Sequence, residues 1–289
     1  MVGLAVTIVA RPVTPDEYCQ QKAAASGSSF YYSFLFLPPE RRRAITALYA
    51  FCREVDDVVD ECNEPQLAHA KLAWWRAEVA NLFAGHPQHP VTRALAPALG
   101  PFGVSAERLN EIIAGMEMDL TQTRYLDFAA LERYCYHVAG AVGLLAAGIF
   151  GFRDARTLEY ARQLGTACQL TNIVRDVGED ARKNRIYVPL EDLRRHGVSA
   201  ADILARRHSD AFVALMREQA RRAESFYARA MEALPAADRR AQRPGLIMAA
   251  IYRALLKEIE RDGFQVLAQR VSLTPMRKLW IAWRTWVKG

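Results

Sequence analysis

Two acidic clusters carry most of the chemistry in this chain's residue types and spacings. The first is Arg53-Glu54-Val55-Asp56-Asp57-Val58-Val59-Asp60-Glu61, and the second is Asn172-Ile173-Val174-Arg175-Asp176-Val177-Gly178-Glu179-Asp180. Each lies in an apolar-periodic segment that reads as a helix. On a helix, Asp56 and Asp60 share a face, and Asn172, Asp176 and Asp180 form a second ladder over about two turns. Like charges at that spacing destabilise a helix, so something cationic is needed to hold them together. Oxygen ligands facing each other across a cavity suit Mg²⁺, above all when substrate phosphates complete its shell. Either cluster alone could be a solvated acidic patch. Val55, Val58 and Val59 nevertheless set the first cluster against a core, and acids near a helix C-terminus oppose its dipole. Asn172 is a neutral oxygen ligand in a helix interior, where its propensity is poor. Asp57 lies off the Asp56–Asp60 line by about 100° and reads either as a supporting partner or as reaching a shared ion.

Basic residues cluster beside these acids: Arg53, Arg175, Arg182, Lys183 and Arg185. A diphosphate carries too much charge for metal ions alone, and bidentate guanidinium contacts would supply the remainder. Arg53 and Arg185 are the favoured contacts, and Glu179 either joins the site or faces solvent. Phe30, Tyr31, Tyr32, Phe34 and Phe36 follow Ser28-Ser29, and Tyr134, Tyr136 and His137 precede a run containing Gly140, Gly143 and Gly148. Core packing accounts for both groups equally well. Interior glycines cost helix stability, so these must admit a neighbouring helix or an apolar ligand. Aromatic faces along a hydrocarbon cavity would stabilise a passing carbocation. His137 has no second histidine or cysteine at zinc-ligand spacing, and there is no GxGxxG, P-loop or GxSxG.

The elements that must position these residues are helices. Ala, Leu, Arg and Glu dominate and no strand is convincing. Pro38-Pro39 starts a helix running to about Glu61, and further helices are expected over Leu67–Phe83 and, as a short one, His89–Gly100. Others follow from Ala106 to Leu120, from an Asp127 cap to Phe150, and from an Asp154 cap to near Asp180. The last three cover Ala200–Leu234, Gly245–Val266 and Met276–Val287. Long helices hydrophobic on several faces imply an all-α bundle, with the acidic clusters facing across a central cavity.

With 289 residues, 51% hydrophobic and no Pro- or Gly-rich linker, one domain spanning 1–289 is expected. The formal charge of +6 suits an anionic ligand or membrane. Acids interleave the bases and no nucleic-acid motif appears, so no nucleic-acid partner is expected. Five dispersed cysteines read as reduced thiols of a cytoplasmic protein, with Cys52, Cys135 and Cys168 as small core residues. The apolar N-terminus lacks a basic region before it, unlike a signal peptide. The longest uncharged apolar run, Val138 to Phe152, falls short of the ~20 residues needed to span a bilayer. Residues 275–288 form a candidate amphipathic helix, with Met276, Leu279, Trp280, Trp283 and Val287 on one side and Arg277, Lys278, Arg284 and Lys288 as its bases. It either packs on the bundle with its tryptophans buried or lies in an anionic membrane interface at the inner face of the membrane.

Both clusters, their arginines and the Tyr134–Gly143 segment resemble the squalene/phytoene synthase family of head-to-head prenyl transferases, from about Ser26 to Leu267. Ser28-Ser29-Phe30-Tyr31-Tyr32-Ser33-Phe34 and Leu48-Tyr49-Ala50-Phe51-Cys52-Arg53-Glu54-Val55-Asp56-Asp57 are most similar to its bacterial presqualene diphosphate synthase branch, used in hopanoid biosynthesis. The resemblance implies an all-α isoprenoid synthase fold with a large central cavity. It also implies two farnesyl diphosphates as substrates and Mg²⁺ held by Asp56, Asp60, Asn172, Asp176 and Asp180. By the same resemblance Ser28, Tyr49, Arg53, Arg185, Tyr187 and Tyr252 contact substrate, and Tyr134 stands near the reacting carbons. The implied reaction is condensation to presqualene diphosphate, catalysed by Asp56, Asp60, Asp176 and Tyr134, in a pathway with downstream isoprenoid enzymes. NADPH is not expected for this first half-reaction. The alternatives are a complete NADPH-dependent squalene synthase, a phytoene synthase acting on geranylgeranyl diphosphate, and a non-catalytic helical scaffold.

Overall fold

A computed structural model describes residues 13–25, 33–34, 36–62 and 64–288, and among the described residues no strand forms. The helices are α1 (Pro15–Ala25), α2 (Pro39–Glu61), α3 (Pro65–Phe83), α4 (Pro90–Leu95), α5 (Leu99–Phe102), α6 (Ala106–Thr121) and α7 (Phe128–Cys135). They continue with α8 (Ala141–Phe150), α9 (Arg156–Arg182), α10 (Leu190–Arg195), α11 (Ala200–Leu204), α12 (Asp210–Ala233), α13 (Arg243–Arg261) and α14 (Pro275–Lys288). This is the expected all-α fold.

The starts follow local chemistry. Proline stands in the first turn of α2 and α3, where its missing N–H costs nothing. Ser105 accepts from the Arg108 amide at 3.3 Å and Asp127 from the Ala130 amide at 2.7 Å, capping α6 and α7. Asp154 accepts from the Arg156 amide at 2.9 Å, while the cap position itself is Ala155.

Two expected long helices are interrupted. The segment from Asp127 to Phe150 passes through a π-turn at Tyr136–Gly140 between α7 and α8. There the Ala139 carbonyl abuts α9, where a Cβ on Gly165 would lie 2.3 Å from it. The segment from Ala200 breaks into α11 and α12. Arg206 adopts φ +52° just beyond α11, a left-handed helix stop, and Ser209 caps α12 by accepting from the Phe212 amide at 3.2 Å. No glycine or proline marks that break. The helices α1 and α10 were not expected.

The core has two lobes. One is built on α1–α4, α6 and α8 around Leu48, Phe51 and Val55; the other is built on α9, α12 and α13 around Val174, Phe212 and Ile247. Helix α9 is buried on several faces. Close approach to α8 needs Gly143, where a Cβ would meet the Ala161 carbonyl at 2.4 Å, and Gly148 likewise lies against the Phe102 carbonyl at 2.6 Å. Cys135 and Cys168 are core residues and Cys52 is half-buried.

Candidate active site

The acid ladders sit on α2 and α9, near the C-terminal end of each. Val55, Val58 and Val59 are buried on α2, with Asp56 half-buried and Asp60 exposed among them, and Leu170, Ile173, Val174 and Val177 are buried on α9, with Asn172, Asp176 and Asp180 half-buried. Each fully buried aliphatic contributes about 2 kcal/mol, against a few tenths for each like-charged pair, so packing overrides the repulsion. The two ends are joined through Asp60. Lys183 donates to its Oδ1 at 2.9 Å, and Arg185 Nη1 lies 3.6 Å away.

Every acid of the ladders lies near cations or buried like charges. Arg53 donates to Asp56 at 2.7 Å and to Asp57 at 2.6 Å. Arg175 and Arg270 both donate to Asp176, the latter at 3.0 Å, and Arg270 also lies 3.5 Å from Glu179. Burial pushes Asp56 up to about 6, with Asp60, Asp119 and Asp57 adding to the rise while Arg53 opposes it. Burial, Asp176 and Asp119 push Asp180 up to about 8.

Asp119 on α6 contributes to the rise at both Asp56 and Asp180, so a third acid stands between the ladders. Its buried carboxylate accepts from Tyr134 at 2.9 Å and from Tyr187 at 2.7 Å. Burial raises its pKa; the two tyrosines and the Arg185 charge oppose the rise. Tyr125, Tyr134 and Tyr187 stack around it, with Tyr134 and Tyr187 centroids 5.1 Å apart. Asp119 escaped the sequence reading because it has no acid at helical spacing, and Arg270 because it is distant in sequence from the clusters.

A cavity of about 190 Å³ opens beside the ladders, between the two lobes. Tyr49, Gln169, Asn172 and Tyr252 line it at the acid end, and Phe34, Phe150 and Tyr160 are among its apolar walls. Gly140 is not among the lining residues, but Gly143 is. Tyr134, expected near the reacting carbons, does not line this cavity; its hydroxyl is held on Asp119. Ser28 and the aromatic residues Phe30, Tyr31 and Tyr32 lie outside the described residues.

The squalene/phytoene synthase family model matches residues 23–277. The chain belongs to the squalene/phytoene synthase family. Phytoene synthase of Arthrospira platensis is 37% identical over 276 residues, covering 91% of this chain and 89% of that protein. The 15-cis-phytoene synthase of Synechocystis sp. is 36% identical, covering 92% of this chain and 84% of its own length. Of the chloroplastic phytoene synthase of Narcissus pseudonarcissus, 35% identical, the chain spans 63% of the length. Among solved structures, a dehydrosqualene synthase in complex with ligand superposes with a TM-score of 0.85 at 30% identity, covering 95% of this chain and 96% of that one. Squalene synthase HpnC from Alicyclobacillus acidocaldarius gives 0.77 at 29% identity, covering 86% and 94%. The family condenses prenyl diphosphates head to head and uses a divalent metal to bind diphosphate.

The residues present fit such a metal. The buried Asn172 Oδ1 has no hydrogen-bond partner, although its amide nitrogen donates to Gln169 at 3.2 Å. The acids around it are hard oxygen donors with a surplus of negative charge. No three acidic, cysteine or histidine side chains among the described residues converge closely enough to form a site by themselves. Mg²⁺ rarely needs that, since it keeps waters and takes substrate phosphates as ligands.

Proposed function

We propose that this chain condenses two farnesyl diphosphates head to head into presqualene diphosphate, releasing inorganic diphosphate. The observation that carries the reading is that two carboxylate ladders and their basic partners meet through Asp60, next to an apolar cavity that Asn172 of the second ladder lines. Asp56, Asp60, Asn172, Asp176 and Asp180 would hold Mg²⁺. When bound, Mg²⁺ acts as a Lewis acid that stabilises charge on the leaving diphosphate. Arg53, Lys183, Arg185, Arg175 and Arg270 already stand among these acids and are placed to exchange their carboxylate partners for phosphate oxygens.

Loss of diphosphate from one chain leaves an allylic cation. The double bond of the second chain attacks it, and loss of a proton closes the cyclopropane. The cavity walls exclude the water that would quench the cation. Tyr49 and Tyr252 border the reacting end, and Tyr134 and Tyr187, tied to Asp119, hold the aromatic wall beside it. An apolar wall that includes Tyr160 suits the hydrocarbon chain. Tyr160 stands about 18 Å along α9 from Asn172, pressed on Gly245, where a Cβ would lie 2.5 Å from its hydroxyl.

The names of the phytoene synthase relatives favour a second reading, condensation of geranylgeranyl diphosphate to phytoene. Product analysis separates them. Purified protein with farnesyl diphosphate and Mg²⁺, without NADPH, should yield presqualene diphosphate. Squalene formed only when NADPH is added would make it a complete squalene synthase. Phytoene from the C20 substrate with little C15 activity would move it to the second reading, and no coupled product from either would overturn the enzyme assignment.

A further inference from the structure

The helix α14 packs on the outer face of α13, whose inner face carries Gly245, Met248 and Tyr252 along the cavity. Its tryptophans divide. Trp286 turns inward, stacking on Phe36 at 4.9 Å and lying under the Arg243 guanidinium at 5.0 Å. Trp280 and Trp283 face out, 54% and 56% exposed, in one stripe with Met276, Leu279 and Val287, all exposed. The helix therefore does both things its sequence allowed: it folds onto the bundle through Ala282 and Trp286, and it presents an apolar stripe.

Beside the stripe runs a groove of about 570 Å³ between α13 and α14, bordered by Arg239, Arg253, Arg277 and Arg284 and by no acid. Arg253 is paired with Glu224 and Arg277 with Glu258. Arg239 and Arg284 make no ion pair with any described residue, and Arg284 lies 5.2 Å over the Trp280 ring. Tryptophan, leucine and methionine flanked by unpaired guanidinium groups match the boundary between acyl chains and anionic headgroups. No helix among the described residues is long and apolar enough to cross a membrane, so such contact would be peripheral.

We infer that α14 docks the protein on an anionic phospholipid bilayer, with Trp280 and Trp283 in the acyl boundary and Arg239 and Arg284 at the phosphates. The docked face lies behind the α13 wall of the cavity. That an apolar product reaches lipid from there rests on the function proposed above, whereas the docking does not.

Flotation of the full chain without substrate tests it. Vesicles of phosphatidylcholine with phosphatidylglycerol should carry the protein up the gradient, and phosphatidylcholine alone should carry far less. Raised salt should weaken recovery. Trp280→Glu with Trp283→Glu should lower recovery about tenfold or more, since it places charge where apolar burial drives binding. Both sites are exposed, and an unchanged melting curve checks the fold. In the unaltered protein, brominated acyl chains should quench tryptophan fluorescence. Equal recovery of variant and wild type, or no quenching, overturns the proposal. A dimer that this variant dissociates, with no lipid recovery by the wild type, would assign the stripe to a second copy and also overturn it.

Discussion

Asp176 accepts from two arginines yet belongs to a ladder that suits a metal, so its neutral isostere separates charge from packing. Asp176→Asn should reduce turnover on the order of a thousandfold, the scale of losing one strong electrostatic contact in a dry site. Helix content by circular dichroism should be unchanged; near-normal turnover at low Mg²⁺ would remove Asp176 from the site. Asp119 acts differently, by fixing the hydroxyls of Tyr134 and Tyr187. Asp119→Ala should cost about a hundredfold in turnover through misplacement of that wall, and should leave two buried hydroxyls unpaired. Asp119→Asn, which can still accept one hydrogen bond, should recover part of the loss. Identical kinetics for the alanine and asparagine variants would refute the positioning role.

The crossing of α8 and the π-turn over α9 depends on backbone contact at glycine. At Gly165 a Cβ would meet the Ala139 carbonyl at 2.3 Å and Gly140 Cα at 3.1 Å, backbone that cannot swing aside. Gly165→Ala should lower stability by about 1–3 kcal/mol, the usual cost of overpacking, and should narrow the cavity that both helices line. Gly100 has nothing within 4 Å of its Cβ position. Gly100→Ala should therefore be neutral or stabilising by up to about 1 kcal/mol. Thermal melts of the pair check both, and equal melting temperatures would contradict the close approach.

Across the whole molecule, several buried acids serve the fold rather than the chemistry. Asp192, fully buried on α10, accepts from Arg222 at 2.6 Å and from Gln219 at 3.0 Å, and pairs with Arg195 at 2.9 Å. Burial alone would raise its pKa, but these partners outweigh burial and hold it below the usual carboxylate range. Its contribution to stability is thus present above the unfolded-state pKa and is lost as pH falls through the lower folded value. Asp192→Asn should cost about 3 kcal/mol near neutrality by removing the buried carboxylate that Arg222 and Arg195 share. It should also remove part of the fall in melting temperature below about pH 4. A variant whose melting temperature tracks wild type in parallel through that range would show that Asp192 does not titrate with unfolding.

The all-α class, the positions of most long helices and both acid ladders were legible in the sequence, because helical spacing is local and the valines beside Asp56 and Asp176 set each ladder against a core. Ends marked by proline or by a capping side chain were legible for the same reason. The breaks at Tyr136–Gly140 and after Leu204 were not. The first answers the close approach of α9, and the second turns on one left-handed arginine that no glycine announces. Tertiary structure alone decided which isolated residues join the site. Asp119, Asp192 and Asp238 are all buried acids, yet only Asp119 lies between the ladders; Asp238 instead accepts from the Arg153 and Asp154 amides and from Thr157. Arg270 reaches Asp176 only through the chain's return past α13. The two faces of α14 were decided in the same way. Spacing shows that its tryptophans differ in direction, but only the position of α13 and Phe36 determines that Trp286 is covered while Trp280 and Trp283 stay exposed.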